Sequence, residues 1–229
     1  MDQGYENRIN ALEAVKPLSD AQGALIREML DAMVIYNSAI KEVSTKLEIL
    51  NDEFHFKNQR NPIEHIKSRV KTPASIFEKL RRKGLEVSVS SARKNLTDIA
   101  GIRVICPFIE DIYTVASLLQ SQNDVKLIEV KDYIKNPKPN GYRSLHLIVE
   151  IPVFFSTNVE HVSVEVQIRT IAMDFWASLE HQLYYKSSAK TSSLNIREEL
   201  KKCAEVIADT DIKMYKIHKM ILESELEEE

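Results

Sequence analysis

From Val162 to Arg169 every second residue is apolar: Val162, Val164, Val166 and Ile168 alternate with Ser163, Glu165, Gln167 and Arg169. A period of two marks a strand with one buried face. Such a strand needs a second layer over its apolar side, and here a helical pattern follows with no linker between them. The chain is thereby committed to helices packed on a sheet. Along the other face an acid, an amide and a guanidinium stand roughly 7 Å apart. Half-buried strands ordinarily turn polar residues to water, yet this face could also hold a cation, a base edge and a phosphate together. In the helix that follows, Ala172, Phe175, Trp176, Leu179 and Leu183 are expected to be buried, with Asp174, Ser178 and His181 forming a polar face.

Three more segments read as strands: Ile102–Cys106, Val125–Val130 and Tyr142–Ile151. A helix around Val115, Leu118 and Leu119 separates the first two. Asn61-Pro62 and Thr72-Pro73 each place a capping residue before a proline at a first helical position, and Gly84 closes the second of those helices. The fold class is therefore α/β, a mixed sheet flanked by helices, with strands too few and too irregularly spaced for a doubly wound dinucleotide fold. Neither a GxGxxG nor a GxxxxGK[ST] phosphate loop occurs.

Long helices are expected at both ends. Ser19 and Gln22 form a capping-box signature. Beyond it Ile26, Met33, Ile40, Leu47 and Phe54 recur every seven residues, with Met29, Tyr36, Val43 and Leu50 between them. Near the other end Leu200, Ile207, Met214 and Ile221 keep the same spacing, joined by Cys203 and Ile217. A sustained heptad calls for lengthwise packing against another helix, in the same chain or in a second copy. The Glu-Leu-Glu-Glu-Glu end is expected to fray. The organisation read from this is a helical extension over 1–57, a core over 58–190, and a C-terminal helix with an acidic tail over 191–229.

Charge is unevenly spread. Residues 57–103 hold twelve basic and four acidic side chains, a local balance of +8 in a chain whose net charge is −3. A concentrated basic segment in an otherwise acidic protein points to an anionic ligand, against the alternative of a solvated basic helix face. No apolar run approaches the roughly 20 residues of a membrane span, and the first residues lack the pattern of a signal peptide. Cys106 and Cys203 are isolated, so neither a disulfide framework nor a zinc site is indicated. The expected location is the cytoplasm.

Four constellations carry possible chemistry. Ser75, Lys79 and Arg82 share one face of the helix after Pro73, with Arg69 and Lys71 just upstream of its N-terminus, an arrangement that suits a triphosphate. Asp98 precedes a strand, and Gly101 marks a turn or a close backbone approach. By itself Asp98 is a turn or cap residue; paired with Glu165 it provides the two carboxylates that Mg²⁺ takes beside phosphate oxygens. Tyr142, Ser144 and His146 share a face after a loop that contains Lys135 and Lys138. There Tyr142 either stacks on a base or is a core tyrosine with a bonded hydroxyl. Asp174 either accepts two hydrogen bonds from a guanine edge or is a plain helix acid.

In order along the chain stand Arg69-Val-Lys71 with Ser75, Lys79 and Arg82; Asp98-Ile-Ala-Gly-Ile-Arg103; Gly141-Tyr-Arg-Ser-Leu-His146; and Glu165-Val-Gln-Ile-Arg-Thr170 with the Trp-containing helix. This ordered set resembles the Rel/Spo homologue synthetase domain, specifically the stand-alone small alarmone synthetases, over about residues 60–190. The resemblance implies a nucleotidyltransferase-like fold and a GTP pyrophosphokinase. Such an enzyme moves the β,γ-pyrophosphate of ATP to the 3′-hydroxyl of GTP or GDP, releasing AMP and forming (p)ppGpp. It assigns Arg69, Lys71, Ser75, Lys79, Arg82 and Arg103 to ATP, with Arg69 and Arg103 flanking adenine. Asp98 and Glu165 would bind Mg²⁺, and Glu165 would also take the hydroxyl proton. Tyr142 would stack on guanine and Lys131 and Lys138 meet the acceptor's phosphates, with His146, Gln167, Arg169 and Asp174 on the same acceptor side.

None of the six histidines is followed by Asp, and the N-terminal zone is too short for the hydrolase of the long family members, so synthesis alone is expected. The resemblance further implies a homo-oligomer, a tetramer in several relatives, with (p)ppGpp or RNA as a regulator. Two rivals stand beside this reading: a silent RNA-associated regulator of the same fold, and a nucleotidyltransferase that releases pyrophosphate.

Overall fold

A computed structural model describes residues 20–186 and 196–227; Ser19 and the last two residues of the acidic tail lie outside them. The chain divides into two compact units. Helix α1 (Asp20–Asn58) begins in the first and continues into the second.

The rest of the first unit covers residues 72–96. Thr72 caps helix α2 (Pro73–Arg82) by accepting from the Ser75 amide at 3.3 Å, with proline at the first turn as its fixed φ favours. Ile76 and Leu80 are buried, and Gly84, at φ +67°, ends the helix in the left-handed region. Ser88 caps the short helix α3 (Val89–Asn95) in the same way.

The second unit is built on a five-stranded sheet. Its strands are β1 (His65–Val70), β2 (Ala100–Cys106), β3 (Lys126–Asp132), β4 (Leu145–Phe154) and β5 (Val159–Thr170), in the spatial order β1-β2-β5-β4-β3. β5 lies parallel to β2 and antiparallel to β4, so the sheet is mixed. Helices α4 (Ile109–Gln120), α5 (Ile171–Lys186) and α6 (Ile196–Glu227) complete the unit. The period-two pattern of β5 holds: Val162, Val164, Val166 and Ile168 are buried, as are most residues of β4 beside it. The strand breaks its pattern only at its end, where Arg169 and Thr170 are buried too.

Several expectations need correction. β1 was not foreseen, and no helix begins at Asn61-Pro62; the chain turns there into β1. In β1 the basic His65, Lys67 and Arg69 alternate with Ile66, Ser68 and Val70, but on this edge strand only Ile66 and Val70 are apolar, too few to mark a strand by themselves. Gly101 lies inside β2, and a Cβ there would make only ordinary contact, 3.7 Å from the Arg69 carbonyl, so no turn demands it. Among the described side chains of α5 the buried ones are Met173 and Trp176, while Phe175, Leu179 and Leu183 are exposed. The helix docks through Trp176, whose Nε1 donates to the Leu200 carbonyl at 2.8 Å, and that rotation turns the other apolar stripe outward.

The N-terminal heptad is buried at Met29, Tyr36, Ile40, Val43, Leu47 and Leu50, while Met33 and Phe54 are only partly covered. The C-terminal heptad is not buried. α6 packs on α5 and α4 rather than along α1, burying Ala204 and Asp211, while Met214, Ile217 and Ile221 stay about half exposed. The helix extends to Glu227.

Candidate active site

The sheet register turns separate motifs into one surface. Opposite residues on neighbouring strands share a face. Gln167 lies opposite Arg103 on β2 and His146 on β4; Arg103 lies opposite Lys67, and His146 opposite Lys131. One row therefore crosses all five strands as Lys67, Arg103, Gln167, His146 and Lys131. The next row is Arg69, Gly101, Glu165, Ile148 and Glu129. Gly101 leaves a gap between a cation and an acid.

Over the β1, β2 and β5 part of this face lies a cavity of about 270 Å³, lined by Lys67, Ser68, Arg69, Lys71, Asp98, Gly101, Ile102, Arg103, Glu165 and Gln167. Lys71 Nζ donates to Asp98 Oδ2 at 2.5 Å, fixing that carboxylate at the rim. Arg103 Nη1 reaches Asp174 Oδ1 at 3.2 Å, while its buried Nε has no acceptor among the described residues. A buried donor in this position can be satisfied by a ligand atom or by water. The cavity unites Arg69, Lys71, Asp98, Arg103, Glu165 and Gln167. Ser75, Lys79 and Arg82 share a face of α2 in the other unit, with Ser75 and Arg82 exposed.

Beside the cavity runs a chain of hydrogen bonds. Arg169 Nη2 donates to the Tyr142 hydroxyl at 2.6 Å, which lies 2.8 Å from His146 Nε2, and His146 Nδ1 lies 3.1 Å from Glu165 Oε1. Arginine has no acceptor, so the Tyr142 oxygen accepts from it. With the Tyr142 proton given to Nε2, His146 keeps a proton on Nδ1 and donates it to Glu165. Gln167 Nε2 donates to the other oxygen, Glu165 Oε2, at 2.9 Å. Burial pushes the Glu165 pKa up, but the bonds from His146 and Gln167 outweigh it and hold the carboxyl below its ordinary range. Glu165 is thus ionised and held on both oxygens.

Arg169 is only 4% exposed. It donates to Gln167 Oε1 at 2.8 Å, Asp174 Oδ1 at 3.2 Å and Ser144 Oγ at 3.4 Å besides Tyr142. Its guanidinium is committed to organising the neighbouring side chains. Asp174 is gripped by both Arg169 and Arg103 through one oxygen. Lys138 Nζ lies 4.7 Å from the Tyr142 ring centre and 4.5 Å from that of Tyr133. Lys131 pairs with Glu129 at 2.8 Å. Sequence reasoning missed Lys67 and Ser68, hidden in the unrecognised strand, and Tyr133, whose ring packs edge-on to His146 at 5.2 Å. A tyrosine beside the lysine-rich loop was the available signal for the last.

Residues 68–190 match the family described as the region found in RelA and SpoT proteins. The chain belongs to this family. The RelA/SpoT match spans every segment that builds the cavity except the start of β1. Among curated relatives, the GTP pyrophosphokinase YwaC of Bacillus subtilis is 46% identical over 86% of this chain and 93% of its own. The GTP pyrophosphokinase YjbM of the same organism is 36% identical over 84% and 90%. Small alarmone synthetase 1 of B. subtilis, solved with its product pppGpp, superposes with a TM-score of 0.77 at 35% identity, over 86% of this chain and 99% of that one. The same enzyme has been solved bound to AMPCPP.

Proposed function

We propose that this chain transfers the β,γ-pyrophosphate of ATP to the 3′-hydroxyl of GTP or GDP, releasing AMP and forming (p)ppGpp. The observation that carries this reading is the pairing of Asp98 and Glu165 on one cavity lined by Lys67, Arg69, Lys71 and Arg103. The names of the relatives and their nucleotide complexes point the same way. Transfer of this kind asks for positioning and neutralisation of phosphate charge more than for covalent chemistry.

Arg69, Lys71 and Arg103 bind the donor, the Arg103 Nε finding its acceptor there. Magnesium fits the donor set: it takes one or two carboxylates and completes its shell with phosphate oxygens and water. Among the described residues no three side chains form a closed metal cage. Asp98 and Glu165 would hold the ion, which supplies charge neutralisation at the transferring phosphates when bound. On the acceptor side Tyr142 stacks on guanine, and Lys138 leaves the ring to meet the acceptor phosphates with Lys131. Gln167 and Asp174 place the nucleoside, while His146 and Arg169 orient the groups that touch it. Glu165 takes the 3′-hydroxyl proton as the oxygen bonds to the β-phosphorus and the bond to the α-phosphate oxygen breaks.

The half-exposed apolar face of α6 supports self-association, with a tetramer as the assembly. No helix among the described residues is long and apolar enough to cross a membrane, and use of ATP and GTP or GDP as substrates supports a cytoplasmic location. The test is incubation with ATP, Mg²⁺ and GTP or GDP, followed by anion-exchange separation. AMP and a 3′-pyrophosphorylated guanine nucleotide are expected. Free pyrophosphate would instead identify a nucleotidyltransferase, and RNA binding without turnover a silent regulator.

A further inference from the structure

α6 buries only two side chains among the described residues, Ala204 and Asp211, seven positions apart on one face. Each meets a segment that carries the acceptor side of the site. Gly141, at φ +89°, approaches α6 so closely that a Cβ there would stand 2.6 Å from the Ala204 Cβ. Arg143 Nη1 donates to the Gly141 carbonyl at 3.2 Å and to the Ala204 carbonyl at 3.4 Å. Tyr142 is thus flanked on both sides by residues seated on this helix.

Seven residues along, Asp211 Oδ2 accepts from Thr170 Oγ1 at 2.6 Å. Thr170 is fully buried and directly follows Arg169. Its Oγ1 also accepts from the Met173 amide at 3.1 Å, capping the first turn of α5, on which Asp174 stands. A carboxyl in a buried helix position is costly where an apolar residue would pack. No cation pairs with Asp211 among the described residues; the Thr170 hydroxyl is what its carboxylate accepts from. Burial accordingly pushes the Asp211 pKa up.

We infer that α6 sets the geometry of the acceptor site, with Ala204 and Asp211 as positioning residues for the Tyr142 loop and for the β5–α5 junction. Neither needs to touch substrate. The inference rests on the proposed transfer and names the element that holds its acceptor half in register. Ala204 fixes the depth to which the Gly141 turn sits against the helix. Asp211 orients the Thr170 hydroxyl so that its lone pair faces the Met173 amide, and the first turn of α5 carries Asp174 to the two arginines.

The test compares Ala204→Val, Asp211→Ala, Asp211→Asn, Thr170→Val and Thr170→Ser in the full chain, with KM measured separately for ATP and for the acceptor. Ala204→Val should raise the acceptor KM roughly tenfold, since small displacements near the reacting groups cost rate steeply, and should leave the ATP KM within about twofold. Asp211→Ala and Thr170→Val should each lower acceptor kcat/KM. Asp211→Asn and Thr170→Ser keep the bond and should restore it. The Asp211→Ala, Thr170→Val double variant should be no worse than either single one. Equal shifts in both KM values, or losses that simply follow the thermal midpoint, would overturn the inference. So would additivity in the double variant. If Asp211→Ala does not fold, the Thr170→Val against Thr170→Ser comparison decides. Absence of AMP release by the wild type would strike the proposed transfer, whereas an active wild type matched by Ala204→Val and Thr170→Val would strike only the role of α6.

Discussion

Glu165 and Tyr142 show how single side chains divide the work. The Glu165 carboxylate is held ionised by His146 and Gln167, so Glu165→Gln keeps the shape and removes the charge. AMP release should fall by roughly 10²–10⁴-fold while calorimetric nucleotide binding largely survives; near-normal AMP production would remove its role as base. Tyr142 has two separable parts, a ring and a hydroxyl that joins Arg169 to His146. Tyr142→Ala should mainly raise the acceptor KM. Tyr142→Phe keeps the ring, so it should leave that KM near wild type and lower kcat. An effect of either variant confined to ATP would contradict the stacking assignment.

Among the elements, α4 is anchored by an ion pair apart from the cavity. Arg60 Nη1 lies 2.7 Å from Asp111 Oδ1, and Asp111 is fully buried while Arg60 keeps some exposure. Burial pushes the Asp111 pKa up, outweighing the lowering by Arg60. The folded chain therefore holds a proton on Asp111 more tightly than the unfolded chain does. Stability from this group falls as pH rises from the ordinary carboxylate range through the raised value. Arg60→Ala leaves the buried carboxyl without its cation and should cost roughly 3 kcal/mol in neutral solution, read by urea denaturation. Repeating the measurement at progressively lower pH should shrink the loss, because protonation of Asp111 removes the charge that Arg60 offsets. A pH-independent loss would assign the effect to packing of the arginine stem instead.

For the whole molecule, the C-terminal heptad and the burial pattern answer different questions. The heptad stripe promised a partner helix, and within the chain α5 and α4 cover only the Ala204–Asp211 side. Met214 remains 54% exposed and Met220 66% exposed, a large apolar area for a surface helix. Sedimentation should therefore show an assembly larger than one chain. Met214→Glu with Met220→Glu should shift it toward the monomer while leaving the thermal midpoint of the separated chain little changed. A wild type that sediments as a monomer at micromolar concentration would refute the proposed assembly.

Local chemistry made much of this legible before any fold was known. The alternation of β5 follows from side chains that point up and down in turn, and the Thr72-Pro73 cap and the Gly84 stop are properties of two or three adjacent residues. The motif order was enough to mark Asp98, Glu165, Arg69 and Lys71 as candidates. What local chemistry does not encode is register. Arg69, Gly101 and Glu165 face one another only because β1, β2 and β5 pair as they do, and a slip of one residue would send each to the opposite face. β1 itself was hard to see because this short edge strand carries only two apolar residues, Ile66 and Val70, among its basic ones. The rotation of α5, the burial of Arg169 and the meeting of Asp211 with Thr170 depend on contacts between residues 5 to 41 positions apart. The sequence by itself determined which chemical groups the protein carries and the faces they lie on within each element. Tertiary structure alone decided which of them touch, because pairing and packing are settled by the fit of whole surfaces.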